Sequence, residues 1–193
     1  MHVERLWLAY AVRRIYLWGG LTLQRDSIMK SLASLYLEAL EKQAQETRFV
    51  IGKAADADLD FRPREDMRSL AEVANHLAQI PQMDYKFFTS VIQTFEQAQE
   101  LEKGLWANSV PGMIQVFDDG MAILRDAFNQ MSDEEFLDMR LKPFYETGDP
   151  KNWAHFLPEM MTHMAMHKMQ LWMYLKLQGL PVTMWTYYGM ENR

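Results

Sequence analysis

Residues 159–174 read Glu159-Met-Met-Thr-His163-Met-Ala-Met-His167-Lys-Met-Gln-Leu171-Trp-Met-Tyr174. Met160, Met164, Leu171 and Tyr174 recur at helical intervals, and nothing in the stretch alternates with the period of two that a strand requires. His163 and His167 lie on the same face. Side chains four apart on a helix have Cβ atoms roughly 5–6 Å from one another, so two imidazoles can be aimed at one point. The segment therefore predicts both a wall of a helical core and the place where chemistry concentrates. Its helix begins near Trp153 or Pro158 and runs to Gln178; Gly179 suits the position after the last turn, and Pro181 prevents continuation.

Working outward, the rest of the chain repeats the helical pattern. A first helix is expected over about Lys30 to Lys53, with a stripe of Leu32, Tyr36, Leu40, Ala44, Thr47 and Ile51. After an Asp-rich loop from Ala54 to Met67, Ser69 and Glu72 form a capping box that opens a second helix. Its stripe is Leu70, Val73, Leu77, Ile80, Phe87 and Val91; Pro81 inside it must kink or interrupt it, because proline has no N–H and crowds the carbonyl of Leu77. Glu96 to Gly104 reads as a polar connection. Ser109 and Pro111 fit the start of a third helix with Ile114, Phe117, Met121, Leu124 and Phe128 inward. Ser132 and Glu135 cap a short extra helix, and the irregular stretch Lys142 to Asn152 is placed to roof a site. Trp185, Tyr187 and Tyr188 belong to a short aromatic tail. The economical fold is an all-α four-helix bundle, whose interior can build metal sites from facing helices.

Composition narrows the function classes. With 193 residues, the chain is expected to form one main domain, and 49% hydrophobic with 24% charged residues is an ordinary globular balance. A net charge of −6 without a Lys/Arg cluster beyond the first 25 residues argues against a nucleic-acid partner. The absence of cysteine excludes disulfides, thiolate ligands and a cysteine nucleophile, and fits the cytoplasm. Residues 1–28 differ from the rest: Arg13 and Arg14 split an apolar, aromatic run, which denies both a secretory signal and a membrane span. We expect an N-terminal extension outside the fold, or an upstream start-site artefact with Met29 as the functional beginning; the rival reading is an amphipathic membrane-surface or dimer-contact helix.

His76 joins the pair from the second helix, on the flank of the stripe made by Val73, Ile80, Met83 and Phe87. Two readings stand at this point. A lone inward histidine is commonly a core residue bonded to a neighbour; three inward imidazoles carry a desolvation cost that metal ligation, with an acceptor behind each ring, would offset. Three neutral imidazoles with a free fourth position are the pattern of a catalytic divalent metal, whereas a structural zinc closes its shell with a fourth protein ligand. His155 is expected in a loop or solvent, at most behind the ligands, and His2 is unrelated. Asn75, Gln79, Glu159 and Gln170 are near enough to orient a ligand or substrate, but each is read first as an ordinary helix-surface residue. Met164 stands where a zinc protease would carry the glutamate of His-Glu-x-x-His, which disfavours peptidase activity. The methionines around the pair are expected to fill the core rather than to bind copper.

Two segments carry a family likeness. Arg68-Ser-Leu-Ala-Glu-Val-Ala-Asn-His76-Leu-Ala and His163-Met-Ala-Met-His167-Lys-Met-Gln170-Leu, the latter followed by Tyr174-Leu-Lys and Gly179-Leu-Pro, resemble the DinB/YfiT-like superfamily of bacterial metal-binding four-helix bundles. The resemblance covers residues 29–193. Lys168 stands where the family more often has Arg, and Met169 where Gly is frequent. The resemblance, not the spacing, implies that His76, His163 and His167 bind one ion, zinc or nickel. It further implies thiol S-transferases that use an external low-molecular-weight thiol, thiol-dependent isomerases or metal hydrolases, and homodimers, with the aromatic tail as a candidate contact. The expected function is a metal-dependent S-transferase acting on electrophilic small molecules. A hydrolase, or a non-catalytic stress-associated bundle with a structural metal, is the alternative.

Overall fold

The structure is a computed structural model that describes residues 30–191. The expectation about residues 1–28 falls outside that range. Among the described residues seven α-helices follow one another: α1 Leu32–Gly52, extended by a 3-10 turn at Lys53–Asp56, α2 Leu70–Phe88, α3 Phe95–Gly104, α4 Val110–Asn129, α5 Asp133–Asp138, α6 Trp153–Leu177 and α7 Met184–Tyr187. Among the described residues there is no strand, only an isolated antiparallel bridge between Leu141 and Lys151. None of these helices is long and apolar enough to cross a membrane.

The four long helices form a closed ring. α1 packs on α4 and α6, and α2 packs on the same two, so α1 and α2 face each other across the bundle. The α2–α6 seam brings His76 beside the histidine pair. Local signals set the helix ends: the capping boxes at Ser69/Glu72 and Ser132/Glu135 form as read, Ser109 caps α4, and Gly179 adopts φ 81° just past the end of α6, a conformation that glycine reaches without a Cβ penalty.

The core follows the stripes of α4 and α6 closely. Phe117, Met121, Leu124, Phe128, Met160, Met164, Leu171 and Tyr174 are all buried. In α1, Leu40, Ala44, Thr47 and Ile51 are buried as expected, and only the start differs: Ala33 and Leu37 are inside, while Leu32 and Tyr36 are half-buried, Tyr36 being set against Phe136 of α5 at 5.1 Å. α2 stops at Phe88, and Val91 is exposed.

Two elements differ from the simplest expectation for a physical reason. Of the kink or interruption expected at Pro81, interruption does not occur: α2 continues through it. Pro81 is buried against Gly120 of α4, where a Cβ would stand only 3.0 Å from both the Pro81 Cβ and the Gln82 backbone nitrogen. Tertiary packing on both sides holds the turn that the missing N–H weakens. The supposed connection at Glu96–Gly104 is the helix α3, capped by Thr94, whose side chain accepts from the Gln97 N–H. It buries no residue completely, so it lacks the apolar stripe by which a helix is recognised in a sequence. It lies along α2 and explains why that helix carries buried polar residues, Asn75 and Gln79, on a face read as surface. Asn75 bridges to the backbone of Ala107 through both its amide groups, and Gln79 donates to the Glu102 carbonyl.

Candidate metal centre

α2 and α6 bring three imidazoles to one point. His76, His163 and His167 each offer a ring nitrogen within 4.8 Å of the others, and all three are half-buried. Ring centroids lie 4.4 Å apart for His76 and His167, 5.0 Å for His163 and His167 and 5.4 Å for His76 and His163. Two rings are held from behind. The Asp84 carboxylate meets Nδ1 of His163 at 3.0 Å, and Oε1 of Gln170 meets Nδ1 of His167 at 2.9 Å. Acceptors at Nδ1 favour the tautomer that protonates this atom and leaves the Nε2 lone pair free.

Burial works against protonation of His76 and His167. Burial, reinforced by His167, Arg68 and His163, drives the His76 pKa down to about 3. Burial also lowers that of His167, against the opposing hydrogen bond from Gln170. Asp84 is 4% exposed, and burial raises its pKa while the His163 contact works the other way. Three imidazoles with ring nitrogens gathered at one point make a donor set that could hold a cation.

Two cavities meet at this wall. The larger, of about 750 Å³, is bounded by Phe87, Tyr145, Pro158, Thr162, His163 and Met166. The smaller, of about 220 Å³, lies between α2 and α3 and includes Arg68, His76, Gln79, Phe95 and His163. Asp84 and His163 border both. The stretch 142–152 does border the site, as its sequence suggested: Tyr145 lines the larger cavity and packs edge-on to Phe87 at 5.8 Å. Ser90 fastens that stretch by donating from Oγ to the Lys142 carbonyl at 2.8 Å.

The sequence matches the DinB family over residues 29–193. The chain belongs to the DinB family. Its backbone resembles the crystal structure of a protein assigned to that family from Exiguobacterium sibiricum 255-15, at TM-score 0.64 and 22% identity over 80% of this chain and 97% of the other. It also resembles a DinB-like protein from Bacillus cereus ATCC 10987, at TM-score 0.60 and 15% identity over 77% and 93% of the two chains. At such identities, the likeness speaks for the fold alone. Among curated proteins, none matches the sequence significantly.

Within this DinB-family bundle, the remaining candidates take other places than expected. Gln170 is not a bystander but the partner of His167. Asp84 escaped the sequence reading, although it stands on the inward side of α2 at a spacing of four and eight residues from Ile80 and His76. His155 sits in the first turn of α6 rather than in a loop; with Glu159, 3.7 Å away, it forms the far wall of the larger cavity. Of the methionines near the pair, Met160 and Met164 fill the core, whereas Met166 and Met173 are exposed. Lys168 is buried, paired with Glu46 of α1 at 2.6 Å, and lies 4.1 Å from the centre of the Tyr187 ring. His2 lies outside the described residues.

Proposed function

We propose that this protein is a cytoplasmic metal-dependent enzyme that holds zinc or nickel on His76, His163 and His167 and joins an external low-molecular-weight thiol to an electrophilic small molecule. The observation that carries this reading is the convergence of three imidazoles whose ring nitrogens lie within 4.8 Å of one another, one of them, His163, lining a cavity of about 750 Å³, with no fourth His, Asp, Glu or Cys in the group among the described residues.

The donor set fits such an ion. Tetrahedral zinc with nitrogen bonds of about 2.0–2.1 Å needs its ligand atoms roughly 3.4 Å apart, so rings already within 4.8 Å need only turn slightly inward. A bound divalent ion supplies a lowered pKa to a thiol or water in its open position. The chain's own part is to hold and to shield. Asp84 and Gln170 fix the rings of His163 and His167, while Phe87, Phe88 and Met166 give the cavity apolar lining. The absence of cysteine means that any sulfur nucleophile comes from outside. In the transfer, sulfur forms a bond to carbon, the leaving group departs with its electron pair, and the thiol proton passes to solvent.

One observation favours a second reading. The His155 and Glu159 pair faces the same cavity and could accept a proton from water, which suits a hydrolase. The test is to load the untagged protein and its His163→Ala, His167→Ala variant with zinc or nickel, measure bound metal, and assay both with cysteine derivatives plus 1-chloro-2,4-dinitrobenzene and with nitrophenyl esters. Metal-dependent thiol conjugation supports the transferase. Ester cleavage alone supports the hydrolase, and a metal-loaded protein inactive in both assays, which unfolds on metal removal, supports a non-catalytic bundle.

A further inference from the structure

We propose that the cavity of about 220 Å³ between α2 and α3 is the subsite for the carboxylate end of the thiol, with Arg68 as its partner. This rests on the thiol-binding reading above for the identity of the ligand, and on the cavity itself for its charge.

Three observations converge. First, the cavity borders the candidate centre: His76 and His163 line it together with Arg68. A small mercapto acid lying there could bring its sulfur to the imidazoles and its carboxylate to the guanidinium. Second, Arg68 is free to receive an anion. Arg48, Arg62, Arg64 and Arg125 each pair with a carboxylate, whereas Arg68 has no ion pair or hydrogen bond among the described residues. The planar guanidinium fork matches a carboxylate in two parallel hydrogen bonds, which makes arginine the residue suited to this task. The carboxylates in the lining are accounted for: Asp84 is turned to His163, and Glu102 stands on the α3 wall without pairing with Arg68. Third, a transfer reaction needs two substrates at one point. His163, Asp84 and Phe87 are the shared wall of two unequal cavities, one carrying a cation and the other lined also by Phe88, Tyr145 and Met166. An acidic thiol belongs in the first, an apolar electrophile in the second.

α3 closes the subsite from outside through Phe95, Ala98 and Gln99. Partial exclusion of water there strengthens the pairing of Arg68 with an anion relative to a fully solvated surface.

The test uses the cobalt-loaded protein and follows the thiolate-to-cobalt absorption band. N-acetylcysteine should bind about tenfold more tightly than its methyl ester. Arg68→Gln should remove that preference by weakening the acid and leaving the ester unchanged, and Arg68→Lys should restore part of it. Equal affinity for acid and ester in the unmutated protein overturns the subsite while leaving thiol binding intact. If neither thiol alters the cobalt spectrum, the thiol reading fails, and the subsite is then judged with N-acetylalanine and its methyl ester by NMR of the His76 ring protons in the zinc-loaded protein. Selective binding of the acid, lost in Arg68→Gln, sustains the carboxylate site; indifference to both overturns it.

Discussion

Asp84 sets the orientation of a candidate ligand without being one itself. Its carboxylate holds Nδ1 of His163, and acceptors in this position typically account for about 10–100-fold in metal affinity. Asp84→Asn should therefore weaken zinc binding by about that factor in a chelator competition, with all three histidines in place; unchanged affinity would make the contact incidental. The pH dependence follows from the rings. The His76 pKa is near 3 in the folded chain, against about 6.5 when unfolded, so the unfolded chain takes up the proton first. The stability of the metal-free protein is then complete above about pH 6.5 and falls as the pH drops from there toward 3. Asp84, with a raised pKa, works in the opposite sense, so the comparison needs a variant. Urea unfolding of the metal-free protein should lose on the order of 1 kcal/mol more between pH 7 and pH 5 than His76→Phe does; equal slopes would refute the assignment. The histidine pair was legible because four-residue spacing is a local property of one helix. Asp84 was not, since its partner is 79 positions away and only the docking of α2 on α6 brings them together.

At the scale of elements, capping signals and apolar stripes gave helix starts and faces wherever a helix has one wet side. α3 stayed hidden because both its sides are at least partly wet, and α2 misled because α3 buries its polar side. Gly120 is the clearest case of an element position with a purpose that sequence periodicity does not express. It lets α4 approach the Pro81 turn of α2, and a Cβ there would meet backbone at 3.0 Å. Alanine is favoured over glycine inside a helix by about 1 kcal/mol, yet overpacking a close helix contact typically costs about 1–3 kcal/mol. The steric term wins, because the neighbouring atom is backbone and the proline ring cannot rotate away. Gly120→Ala should lower the urea midpoint by the equivalent of about 1 kcal/mol. A gain in stability would mean that the helices separate easily, and that α2 is not braced at the turn between His76 and Asp84.

For the molecule as a whole, the question is whether the bundle would need the proposed metal in order to fold. The closed ring of α1, α4, α2 and α6 has a core of fully buried aromatic and aliphatic side chains, including Phe117, Phe128, Trp153 and Phe156. The buried Lys168–Glu46 pair joins α6 to α1 on its own, and Tyr187 of α7 covers it. None of these contacts passes through the histidine cluster, whose residues are half-buried at one seam. The metal-free protein should therefore remain folded, unlike a zinc finger, in which binding and folding are one event. Binding still adds to stability by mass action: an ion that binds only the folded state contributes about 2.7 kcal/mol at a hundred times its Kd. Thermal unfolding followed by circular dichroism should thus show a cooperative transition without metal and a higher Tm with zinc or nickel. The rise should disappear in His163→Ala, His167→Ala while that variant keeps the helical signal of the metal-free protein. A metal-free chain without a cooperative transition would make the centre structural, and the open coordination position would lose its claim to catalysis.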